Sequence, residues 1–230
     1  MNRVLIVTRV QLVGWQNTVG WPWLLLAMVF AVNYAVFWTI GDTEGNYTTG
    51  ALVSIYIVVF VTSINWITQL LPFSMALSVI RRTFFLASAL LLVVQSVVFG
   101  ILLFLCQLAE KATGGWGIHL QFFGLNFVDD LHPLLRIAFY TMPFVLLGFL
   151  GIFVAVFYKR FGLTGMWLLT TATLLVLAGL AVLLTWQELW PAIGRWLVDQ
   201  PQVAWFVGWP TLFTALFGGA GYVTLRRVTP

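Results

Sequence analysis

The residues of this 230-residue chain with the strongest potential for chemistry are Asp129, Asp130 and His132, with His119 upstream. Carboxylates and imidazoles at that spacing are the group types that hold a divalent metal or pass a proton. No motif of known mechanics contains them, and the chain has no HExxH, no GxSxG and no GxxxxGK[ST] run. We therefore read the cluster as a solvated acidic loop ahead of Pro133. The single cysteine, Cys106, excludes an internal disulfide and a CxxC site.

A second set of residues is polar but uncharged and lies inside long apolar runs: Asn33, Ser54, Thr62, Ser63, Asn65, Gln95 and Thr141. In hydrocarbon such groups find partners across helices or line a water-filled path. Helix-to-helix bonding is the plainer role for each. The stretch carrying Thr62 and Asn65 is the richest in them, so it is the first choice to line a pathway, with Asn33 as a weaker candidate from the preceding run. All seven acids fall in loops or at the ends of apolar runs, so no pair of them forms a proton relay within the membrane.

The elements that position these groups follow from composition. A chain that is 61% hydrophobic and 8% charged, with mean hydropathy +1.00, is not a water-soluble domain. Apolar runs over about 21–40, 51–71, 84–108, 134–157, 165–186 and 204–223 each suffice for a spanning helix, which takes roughly 20 residues. Consecutive leucines and valines, as at Leu90–Val94, lack the alternation of a membrane β-barrel. The expected fold is an all-α integral membrane protein of six transmembrane helices, forming one domain over residues 1–230.

Charge sets the frame. Arg3, Arg9, Arg81, Arg82, Lys159, Arg160, Arg226 and Arg227 lie on one side with no acid, whereas all seven acids and three basic residues lie on the other. The positive-inside bias places both termini in the cytoplasm. The net charge of +4 is spread too thinly for nucleic acid. Residues 2–16 mix Arg3 and Arg9 with apolar positions, which predicts an N-terminal amphipathic helix on the inner membrane surface, leading into the first span by residue 20. Trp190, Ile193, Trp196 and Leu197 predict a short helix resting on the outer leaflet. The Gly114–Gly117 turn is expected to lead into another surface helix through Ile118, Phe122, Leu125 and Asp129.

The link between the second and third spans is the sharpest feature. Thirty uncharged residues run from Ala51 to Ile80, more than one span needs, and Pro72 interrupts them. The expectation is a short cytoplasmic helix after Pro72 and re-entry at Phe84. Exposed Phe73, Met75 and Leu77 beside Arg81 and Arg82 would call for a covering protein.

The run 72–86, PFSMALSVIRRTFFL, resembles the membrane permeases of ATP-binding-cassette transporters of the type-two exporter class. The six-span organisation with a basic interfacial N-terminus is similar to the same class. The resemblance implies a non-enzymatic permease in the plasma or inner membrane that pairs with a second copy or a paralogous permease. The resemblance further implies export of a lipid, peptide or drug. Each copy would rest on a cytoplasmic ABC ATPase that carries the ATP and Mg, with no cofactor in this chain. It also implies that 73–82 is the coupling helix, that 2–16 is the connecting helix beside it, and that the pathway involves the first, second and fifth spans. The chain departs from the class between the fifth and sixth spans, where 187–203 holds only a short helix instead of a re-entrant hairpin. Two other readings stand beside it: the substrate-binding membrane subunit of a vitamin importer, and a scaffold or enzyme using the Asp129–His132 cluster.

Overall fold

The computed structural model describes residues 16–40, 47–76, 79–124 and 131–226. A wide turn at Gln16–Gly20 leads into α1 (Trp21–Ile40), and then come β1 (Tyr47–Thr48), α2 (Val53–Ala76), α3 (Arg81–Ala112) and β2 (Leu120–Gln121). They are followed by α4 (Pro133–Trp186), α5 (Trp190–Asp199) and α6 (Trp209–Arg226), the last entered through a wide turn at Ala204–Gly208. Long apolar sequence makes these helices, because in hydrocarbon each backbone amide must find its partner within its own segment.

Four helices are long and apolar enough to cross a membrane, or five when the bent pair of α5 and 204–226 is taken as one. α4 spans 54 residues. Straight, it would run about 81 Å, well over twice the roughly 30 Å hydrocarbon core. The helix is broken at Gly162 (φ 66°, ψ −165°), a conformation that only glycine adopts without strain. The break falls between the two runs expected there, 134–157 and 165–186. Helix α5 forms at 190–199 as expected, and it meets 204–226 at 96°.

Two apolar clusters hold the bundle. One gathers Leu26, Ile55, Phe99, Leu103, Tyr140 and Phe144 with Leu120, Phe122 and Phe123. The other gathers Ile67, Leu71, Phe84, Phe85, Ile152 and Leu225. The first lies toward Glu110, the acidic end, and the second toward Arg81 and Arg226, the basic end. Between them α4 crosses α2 closely, and a Cβ on Gly151 would stand 2.8 Å from the Phe60 carbonyl oxygen and 2.9 Å from Ser63 Cβ. Residues 163–186 contribute to neither cluster. Leu163, Trp167, Leu168, Leu175 and Trp186 there are all exposed, as side chains facing lipid or another protein would be.

Two expectations are corrected. Pro72 does not end its helix: α2 continues through it to Ala76. The proline forgoes one backbone bond, but Leu71, Ser74 and Met75 seat the last turn against the second cluster, and the Ser74 hydroxyl bonds the Leu71 carbonyl at 2.9 Å. The next helix starts at Arg81 rather than Phe84, so Phe73–Ala76 and Arg81–Arg82 are the ends of two long helices and not a separate short one. Residues 118–124 do not form a surface helix either, and Leu125 and Asp129, the rest of that expectation, lie outside the described residues. Leu120–Gln121 pairs in parallel with Tyr47–Thr48, and Phe122 and Phe123 are buried.

Candidate functional site

At the basic end, two backbone hydrogen bonds border the link between α2 and α3. Val79 N–H donates to the Ser74 carbonyl (3.0 Å) and Phe84 N–H to the Ile80 carbonyl (3.0 Å). Phe73 is 53% and Ile80 59% exposed, and Arg82 is exposed too, whereas Met75 turns inward against the second cluster. Arg81 Nη1 donates to the Arg226 carbonyl (3.2 Å), tying the start of α3 to the end of α6. A cation at a helix C-terminus satisfies a carbonyl that has no partner within its own helix. Arg226 in turn lies over the Tyr222 ring, and Tyr222 packs on Phe85. Of the five coupling candidates, Phe73 and Arg82 thus face outward, Met75 packs inward, Arg81 joins two helices, and Leu77 lies outside the described residues, as does the segment 2–15 read as its connecting helix.

The three pathway candidates do not converge. Asn33 Nδ2 donates to the Val29 carbonyl (2.8 Å) and Thr62 Oγ1 to the Val59 carbonyl (3.1 Å), each within its own helix. Asn65 is exposed. Gln95 serves a tertiary contact instead, its Nε2 donating to the Thr18 carbonyl (2.6 Å) in the turn before α1. The hydroxyls of Ser54 and Thr141 are buried without a hydrogen-bond partner.

At the acidic end, Asp129 and Asp130 lie outside the described residues. His132 has a structural part: it is the N-cap of α4, with Nδ1 accepting from Leu134 N–H (3.3 Å) and Pro133 as the first helical residue. Replacing His132 with alanine is expected to lower stability by about 1 kcal/mol, with asparagine retaining most of it. Thermal unfolding measures both, and a wild-type activity that chelators abolish would return the cluster to a metal role.

Glu110, which the sequence places at the end of an apolar run, is not at the surface. Its side chain is 2% exposed, in the last turn of α3. Oε2 accepts from Trp116 Nε1 (3.1 Å), Phe122 N–H (2.9 Å) and Phe123 N–H (2.9 Å), and Oε1 accepts from Gly124 N–H (2.8 Å). Four donors to one carboxylate offset the loss of water, which a buried charge otherwise cannot tolerate. Around it, Phe30 of α1 meets Trp116, Phe122 and Phe123 at ring distances of 5.2, 5.2 and 5.8 Å. The signal in the sequence was slight: a lone glutamate closing an apolar helix, then Gly-Gly-Trp-Gly and a pair of phenylalanines.

Among the described residues no group of three or more His, Cys, Asp or Glu side chains is placed to hold a metal ion. No family model, curated protein or solved structure matches this chain.

Proposed function

We propose that this membrane-embedded chain is the permease subunit of an ATP-driven transporter of the type-two exporter class. It would move a hydrophobic or amphipathic molecule, with a separate cytoplasmic ABC ATPase supplying ATP and Mg. The observation that carries the proposal is the exposure of Phe73 in the last turn of α2 and of Ile80 and Arg82 at the start of α3. A mixed apolar and cationic knob at the end of two long helices fits a groove in a partner protein better than it fits water. The resemblance of the run 72–86 names that partner as an ATPase. In this reading the chain crosses the plasma or inner membrane six times, with α4 divided at Gly162, and the basic end is cytoplasmic. The apolar residues of 163–186 supply a surface for a second permease copy or a paralogue.

Purification from native membranes, followed by identification of bound proteins, tests the assignment. An ABC ATPase should be retained, and its absence removes the proposal. Topology is tested separately with cysteines placed in a Cys106→Ser background. Cysteines at Thr43 and Thr113 should react with an impermeant maleimide in intact cells, and those at Thr83 and Gly162 only after permeabilisation. Labelling of Thr83 from outside would invert the frame.

A further inference from the structure

The function proposed above makes no use of Glu110, yet no other described carboxylate is so completely enclosed by donors. We infer that residues 113–124 form a cap clamped by Glu110, which closes the acidic end of the bundle and opens as one unit when the clamp releases.

Three observations carry this. These four donors to the carboxylate come from the segment 116–124 that follows α3, so the clamp joins one rigid helix to one loop. Breaking it leaves both a buried charge and several amides without partners unless water reaches all of them together. Partial opening is therefore disfavoured, and the cap is either seated or lifted.

The loop is also strained while seated. Trp116 (φ 59°) and His119 (φ 54°) hold left-handed conformations unusual for residues with side chains, in the same turn as the left-handed glycines Gly114, Gly115 and Gly117. Such conformations persist only where their surroundings impose them. The clamp holds Trp116 by its indole, beside the bonds of Trp116 N–H to Thr113 Oγ1 (3.1 Å) and of Leu120 N–H to the Gly115 carbonyl, so its release removes one of the contacts that keep the turn in the seated form.

Finally, the remaining polar ties to the rest of the bundle are few. β1 and β2 pair over two residues each, Thr49 N–H donates to the Gln121 carbonyl (3.2 Å), and the Tyr140 hydroxyl donates to the Phe123 carbonyl (2.7 Å). The rest is apolar: Leu120, Phe122 and Phe123 are buried in the first cluster, and Trp116, Phe122 and Phe123 meet Phe30, contacts that are non-directional and can re-form. In a permease this cap would be the gate at the end away from the ATPase. That role rests on the reading above, but the cap itself does not.

Hydrogen exchange read by mass spectrometry, on the whole chain in lipid nanodiscs without any ATPase, tests the cap independently of transport. Two variants loosen the clamp from opposite sides. Glu110→Gln puts an amide donor where an acceptor stood, and Gly124→Ala places a Cβ 2.9 Å from Glu110 Oε1. In both, amides across 115–124 and the amide of Thr49 should exchange at least about tenfold faster, and together, while those in the middle of α3 keep their protection. Faster exchange confined to Phe122, Phe123 and Gly124 would overturn the inference, because it would report lost acceptors and no moving cap. Unchanged exchange would overturn it too. So would loss of protection throughout α3 in both variants, since Glu110 would then hold the whole fold and not a cap.

Discussion

A Phe73→Ala, Leu77→Ala variant is expected to insert and remain monodisperse yet lose its ATPase during purification and no longer stimulate ATP hydrolysis. Phe73 is more than half exposed and belongs to neither apolar cluster, so its truncation removes nothing from the interior. Leu77 lies outside the described residues and enters this test on its place in the run 72–86. A helix end seated in a groove concentrates its binding energy in a few large anchors, worth about 1–3 kcal/mol each. Two such losses weaken the contact by roughly 30- to 10,000-fold, enough to separate the complex on a column. Co-purification and ATPase assays read the result, and full retention with full coupling would remove the main support for the permease assignment. Arg81→Glu is a poorer probe. Arg81 also holds the Arg226 carbonyl, so its reversal disturbs the contact of α3 with α6 as well as any partner.

The largest effect on stability is expected at Gly151. Any side chain there meets the backbone of α2 at the Phe60 carbonyl, and a backbone cannot turn aside as a flexible side chain can. Gly151→Val must therefore push α4 away from α2, in the stretch between the two apolar clusters. Overpacking of this kind costs about 1–3 kcal/mol and sometimes more. For a chain of this size each kcal/mol shifts Tm by roughly 2–4 °C, so a fall of about 5–10 °C is expected. Gly179→Val is the control, because a Cβ at Gly179 meets nothing within 4 Å and this part of α4 stands apart from the bundle. Thermal unfolding in one detergent compares them, and equal Tm values for the two variants would contradict the close crossing of α2 and α4.

Hydropathy and charge alone determined that this is a helical membrane protein, where most of its helices lie, and that its two ends differ in sign. α1 begins and ends at Trp21 and Ile40, as the apolar run did, and the helix of Trp190, Ile193 and Trp196 formed where their spacing placed it. These are local properties: a run of apolar residues satisfies its own backbone, whatever surrounds it. Pro72 could not be judged in that way. Whether a proline ends a helix depends on whether the turn beyond it has something to pack against, and Leu71 and Met75 found their place beside residues from α3, α4 and α6.

Glu110 marks the same boundary for chemistry. By sequence it is an acid at the end of a helix and should be solvated. In the fold its water is replaced by an indole and three backbone amides, contributed from 6 to 14 residues further along the chain. The chain reaches them only through a left-handed turn and a strand pairing with residues 47–48. The solvation of a charge is settled by the donors that arrive around it, and which donors arrive is decided by tertiary structure alone.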